Sequence, residues 1–179
     1  MANGNVMKTA AVDLTASQLA AAFWQFSLAF YPSRQPLLLR LQDEHNANIN
    51  VLLCICWLSL QQRQLTHTQL RQIRSALAEV NQHITTPLRQ IRRNLTADTQ
   101  QFKAALLAVE LQAEQAEQQA IATVLSECWP QLAPLGCMQT ALQTYVTLCT
   151  ADSPSLQSQL VDLDQAIRAY TPSLGETLI

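Results

Sequence analysis

Two short polar segments carry the residue types best suited to chemistry, and both interrupt apolar stretches of helical period. Arg40-Leu-Gln-Asp-Glu-His-Asn-Ala-Asn-Ile-Asn50 sets eight polar or charged side chains in eleven positions, where the most apolar run of the chain begins. On a helix Asp43, Asn46 and Asn50 share one face, which continues into Leu53 and Trp57. Polar groups in line with a buried stripe must be hydrogen-bonded, because an unpaired one costs about 1–3 kcal/mol. The second segment, Pro87-Leu-Arg-Gln-Ile-Arg-Arg93, sets Arg89 and Arg93 four apart on one face beside Ile91, with Arg92 pointing elsewhere. Guanidinium groups are suited to bidentate pairing with carboxylates. The expectation is a polar cluster in which Asp43, Glu44 and Asn50 partner Arg89 and Arg93, with Glu110 or Glu114 joining. Such a cluster either fixes helix register or lines a pocket for a small polar or anionic ligand.

Other chemistries are poorly supplied. Asp43, Glu44 and His45 are consecutive, so one helix cannot point all of them at a metal ion, and His67 and His83 lie far off in sequence. The inward-projecting Glu-x-x-His pairs of di-iron bundles are missing. Three glycines do not build a phosphate-cradling loop, and there is no G-x-S-x-G elbow. No catalytic residue, metal or cofactor is therefore expected, and the reading leans away from an enzyme. The five cysteines, Cys54, Cys56, Cys128, Cys137 and Cys149, contain no C-x-x-C pair and are expected to be reduced, small hydrophobes.

The elements that must position these residues are helices. Hydrophobic residues make up 49% and charged ones 13%, about half the usual charged share, which excludes an extended disordered chain. Leu, Gln and Ala dominate and Gly is scarce, so an all-α fold is expected. Thr15-Ala-Ser-Gln18 matches a capping box. Leu19, Phe23, Phe26 and Phe30 then form a stripe that Pro32 is expected to end. A second helix is expected over about 35–62, bending near Asn46–Asn48. The third shows the cleanest period, Leu70, Ile73, Leu77, Val80, Ile84, Leu88, Ile91 and Leu95, with a kink or short break expected at Thr85-Thr86 because of Pro87, and a new cap at Thr86. A fourth covers about 97–129 with the stripe Phe102, Leu106, Val109, Ala113, Ala116 and Ala120. A fifth covers about 138–149, and a sixth starts at Ser153-Pro154 and stops at Pro172. About six helices in one bundle, residues 13–172, follow from the need to bury each stripe against another; 1–12 and 173–179 are expected to be tails.

Charge narrows the function classes. The net charge is −2 and the pI about 5.9, so no nucleic-acid partner is expected, although Gln64-Leu-Thr-His-Thr-Gln before Arg71 and Arg74 is the nearest thing to a helix-turn-helix entry. The basic third helix and the acidic fourth are expected to form an antiparallel hairpin folded about Thr96, with Arg71 and Arg74 beside Glu117 and Glu114 and His83 near Glu110. The apolar run Ile49–Leu60 is too short for a membrane span, and residues 1–12 hold no leader-like apolar core, so a cytoplasmic protein is expected.

Three segments together, Phe23-Trp-Gln-Phe-Ser-Leu-Ala-Phe-Tyr-Pro32, Leu41-Gln-Asp-Glu-His45 with Asn50, and Pro87-Leu-Arg-Gln-Ile-Arg-Arg93, resemble an uncharacterised family of small proteobacterial proteins. Glu110-Leu-Gln-Ala-Glu114 with Glu117 fits the same pattern, and the resemblance covers about residues 16–128. It implies a bacterial, cytosolic, helical domain of unknown function and no activity. The functional expectation is a non-catalytic interaction or regulatory module that binds a protein partner through a helix face, possible partners including a second copy. The alternative is a binding protein or enzyme for a small polar or anionic ligand, with its site between helices two, three and four.

Overall fold

A computed structural model describes residues 14–171. Both expected tails and the Pro172 stop lie outside the described residues. Helix α1 (Ala16–His45) begins at the expected capping box, with Gln18 N–H donating to Thr15 Oγ1 and Thr15 N–H to Gln18 Oε1. It does not end at Pro32: it continues through Pro32 and Pro36. An interior proline costs about 3 kcal/mol. Burial of Phe30, Leu37, Leu38 and Leu41 along one unbroken face outweighs that cost, and both prolines sit on the exposed side. Ser33 donates to the Phe30 carbonyl at 3.2 Å within the continuous helix.

The expected bend near Asn46–Asn48 is a complete break. Asn46 takes the left-handed conformation at φ 54°, which asparagine tolerates better than most residues. Asn48 then caps α2 (Ile49–Leu60), its Oδ1 accepting from Val51 N–H at 3.2 Å. Every residue of α2 except Leu60 is buried, so this helix lies within the core and packs on α1. Phe23 stacks on Trp57 at 5.5 Å, and Trp57 meets Trp129 at 5.9 Å.

A two-residue strand β1 (Arg63–Gln64) pairs antiparallel with β2 (Ala133–Pro134), clipping two linkers together. Between them the chain rises along α3 (His67–Val80), a π-helical segment 81–85 and α4 (Thr86–Arg93). It turns over in a 3-10 segment, 97–102, and returns along α5 (Lys103–Cys128). Helix α6 (Met138–Val146) and helix α7 (Pro154–Arg168), capped by Ser153 as expected, close the bundle. Counting α3, the π segment and α4 as one rod gives six helical rods among the described residues, an all-α bundle.

Pro87 does not break the third rod. The helix stays continuous, and the irregularity is the wider π turn just before the proline, where Thr86 N–H reaches back five residues to the Asn81 carbonyl. Thr86 has helical angles and so caps nothing. The wide turn also changes which residues face inward. Leu70, Ile73 and Leu77 are buried as their period requires, but the next inward positions are Asn81 and Thr85, and Ile84 turns outward. The outer half of the expected stripe is consequently only partly covered by the described residues. No residue of α4 is buried, and Ile91 and Phe102 are each 53% exposed. The rule that every apolar stripe finds a partner helix fails at this hairpin end.

Candidate functional site

The centre of the polar architecture is Glu117, which is completely buried on α5. Its Oε2 accepts from Asn48 Nδ2 and Asn50 Nδ2, both at 2.9 Å. Its Oε1 accepts from Thr85 Oγ1 at 2.8 Å and Asn81 Nδ2 at 3.2 Å. Local structure delivers each donor. Asn48 is the α2 cap, Asn50 lies in the first turn of α2, and the π turn aims Asn81 and Thr85 at the carboxylate. All four donors are neutral, so the charge is held by dipoles rather than by a counter-ion. A buried charge is tolerated only when it is hydrogen-bonded to this extent. Tyr145 of α6 completes the hub by accepting the Asn48 backbone N–H at 2.8 Å, and burial raises its phenol pKa well above the usual range.

A relay runs outward from this hub. Asn50 spends its Nδ2 on Glu117, so its Oδ1 is the end that accepts Gln118 Nε2, at 2.9 Å. Gln118 Nε2 also reaches Ser27 Oγ at 2.9 Å, and that hydroxyl donates to the Phe23 carbonyl.

The residues singled out by spacing are divided among several contacts. Arg93 Nη2 meets Asp43 Oδ1 at 2.6 Å, but both side chains are about half exposed. Arg89 pairs with Glu114 at 3.1 Å and not with Asp43 or Glu44. Burial raises the Glu114 carboxyl pKa, and the Arg89 guanidinium opposes that shift. Glu44 meets neither arginine. It accepts from Gln159 at 2.6 Å and from Ser155 at 3.4 Å, both on α7. Glu110 pairs with Arg92, whose Nε reaches both carboxylate oxygens at 2.7 and 3.0 Å; Arg92 therefore points inward rather than away. Asn50 contacts Glu117 and Gln118 instead of an arginine.

The hairpin register explains these exchanges. The pairs Arg89–Glu114, Arg92–Glu110 and Thr85–Glu117 are centred near residue 101, not Thr96, because the 3-10 segment occupies the apex. Arg74 accordingly donates to the Leu148 carbonyl at 2.6 Å, Arg71 is exposed, and His83 lies 3.9 Å from Glu79 on its own rod. Glu117 was the residue that spacing should have exposed. It stands four after buried Ala113 and four before buried Ile121, a charge inside a buried stripe.

Three openings adjoin these groups. A polar cleft of about 200 Å³ lies over the hub, lined by Asp43, Asn48, Asn81, Arg89 and Arg93 among others. A cavity of about 140 Å³ lies between α1, α2 and α5, with Gln118 in its wall. A groove of about 780 Å³ runs between α4 and the first half of α5. Among the described residues no three His, Cys, Asp or Glu side chains are placed to hold a metal ion. Cys54 and Cys56 are fully buried, and burial pushes both thiols far above the usual range, which makes them inert.

The Asp43–Arg93 contact is expected to matter little for stability. Exposed ion pairs contribute under about 1 kcal/mol, so Asp43→Ala should melt within about 2–4 °C of wild type by calorimetry. A larger loss would mean that the pair is more shielded than its half exposure implies.

No helix among the described residues is long and apolar enough to cross a membrane. No curated protein and no solved structure matches the chain. A family model described as a protein of unknown function, DUF2390, matches residues 22–121, which is more than half of the sequence. The matched span holds Glu117, all four of its donors, both partly buried Arg–Glu contacts and all three openings, while α6 and α7 fall outside it. The chain belongs to the DUF2390 family.

Proposed function

We propose that this chain is a non-catalytic interaction module that assembles with a second copy of itself through the outer end of the α4–α5 hairpin. The observation that carries this reading is the apolar groove there, which no described residue fills. Pro87, Ile91, Leu95, Phe102, Leu106 and Val109 line it, and none of its lining residues is charged. Beside it Ala104-Ala-Leu-Leu-Ala-Val109 is an unbroken apolar run in which all but Leu106 are exposed. Consecutive exposed apolar residues serve association or they invite aggregation.

The occupant follows from the lack of charge. A charged partner would find no complementary group in the groove, whereas an uncharged patch meets its own copy without like-charge repulsion. Two-fold dimers require this kind of self-complementary surface. Ala104, Ala105 and Ala108 are small enough to let a facing helix approach closely. The half-exposed apolar side chains offer on the order of 500 Å² per copy, and twice that is about the 1,000 Å² at which specific interfaces begin, the size of a weak dimer. The five cysteines are all unpaired, which fits a reducing, cytoplasmic setting.

Size-exclusion chromatography with light scattering tests the reading. The wild-type chain is expected to run as a dimer at micromolar concentration. Ile91→Glu and Phe102→Glu are each expected to give a folded monomer, since both side chains are half exposed within one chain, with a melting temperature that no longer rises with protein concentration. A wild-type chain that stays monomeric at high micromolar concentration overturns it, as does a dimer that both variants leave intact.

A further inference from the structure

The geometry points to a small-molecule site between α1, α2 and α5 that takes a compact, uncharged, largely apolar molecule carrying one hydrogen-bond donor, such as a phenol or an N–H heterocycle. This site lies apart from the hairpin groove and does not depend on the self-association reading. It begins with the direction of hydrogen bonding set by Glu117. Because Glu117 can only accept here, Asn50 must donate to it through Nδ2 and present Oδ1 outward. Gln118 must then donate through Nε2 to Asn50, and the same nitrogen reaches Ser27. Turning the Gln118 amide over would set its oxygen against the Asn50 oxygen, so the orientation is fixed. The relay therefore ends in an acceptor. Gln118 is 3% exposed, and its Oε1 is sealed from bulk water without a hydrogen-bond partner.

A buried acceptor without a partner is costly, and native structures rarely keep one without a reason. Gln118 forms part of the wall of the 140 Å³ cavity, whose other walls include Trp24, Tyr31, Leu53 and Leu111. Apolar walls around a few convergent polar groups are the usual form of a ligand pocket. A cavity of about 150 Å³ admits a molecule the size of benzene. The one charged group in the wall, Glu114, is already matched by Arg89 at 3.1 Å, so the ligand need bring no charge. Leu28 and Leu111 are half exposed and form the rim through which it would enter.

Phenol and toluene, equal in size and differing only in the donor, are the probes. Titration followed by NMR should show phenol shifting the Gln118 side-chain amide and the Leu53 methyl groups. Toluene should bind roughly tenfold more weakly, the value of one hydrogen bond to an otherwise unsatisfied group. Gln118→Met should abolish the preference for phenol. Leu111→Trp, at the rim and outside the hub, should close the cavity to both probes while leaving the fold intact, so the test survives if Gln118→Met fails to fold. Equal affinity for the two probes overturns the proposal, as does phenol binding that Leu111→Trp leaves unchanged. Absence of phenol binding, with an immobile water on Gln118, also overturns it.

Discussion

Glu117→Gln is expected to destabilise the protein by about 3–5 kcal/mol and to lower Tm by about 10 °C. The substitution keeps the shape and volume of the side chain, so packing cannot account for the loss. It replaces an acceptor oxygen by an NH2 group in a site where every neighbour donates. Asn48 and Asn50 converge on one oxygen, and Asn81 and Thr85 on the other. With its nitrogen toward Asn48 and Asn50 the new amide faces two donors; turned the other way it faces the Asn81 amide and forces the Thr85 hydroxyl to turn round and accept. Hydrogen bonds to a charged group contribute about 1.5–3 kcal/mol each, and buried donors left unpaired add their desolvation. Thr85→Val removes one donor of the four and should cost about 1–2 kcal/mol on the same scale. Chemical denaturation of the two variants checks the ordering. Glu117→Gln at wild-type stability would mean that the carboxylate is not the organising charge.

Arg92→Ala is expected to cost about 2–4 kcal/mol, several times more than Arg93→Ala. The two arginines are adjacent in sequence, yet their partners sit in different surroundings. Glu110 is 5% exposed and holds the Arg92 Nε through both oxygens, whereas Asp43 is about half exposed. Truncating the partner of a buried carboxylate leaves a charge without compensation, which costs about 3–5 kcal/mol when burial is complete and less here because Arg92 itself reaches solvent. The double variant Arg92→Ala with Glu110→Gln should lose less than the sum of the single losses, because the second change removes the stranded charge. Equal melting temperatures for Arg92→Ala and Arg93→Ala would contradict this placement of Glu110.

Local rules account for much of the fold. The capping box at Thr15 and the Ser153-Pro154 start are read from neighbouring residues, and α2 is apolar all round because it lies at the centre. What escapes such rules is tertiary. Two prolines inside α1 look like stops until the burial of Phe30 and Leu41 on one continuous face is seen. The π turn at 81–85 has no local signature except Pro87 beyond it, and it decides that Thr85 faces the core and Ile84 faces water. The hairpin register depends on the 3-10 apex, so a fold about Thr96 assigns each arginine the wrong carboxylate. For the site, Asp43, Asn50, Arg89, Arg93, Glu110 and Glu114 are recognisable as polar residues beside apolar stripes. Which of them meet is a matter of where three helices end, and spacing along one helix does not contain it. Glu117 was legible in principle, as a charge placed four residues from buried neighbours on either side.

The hairpin that the Arg–Glu pairs hold in register ends in an apolar surface that no other described residue covers. Hydrogen–deuterium exchange of residues 86–109, measured on the full chain at low and at high protein concentration, tests whether a second copy covers it. Association through the α4–α5 groove predicts that amide protection in this segment rises with concentration, while α2 and α7 stay unchanged. Protection that is the same at both concentrations would contradict the account, and so would a rise confined to any other face.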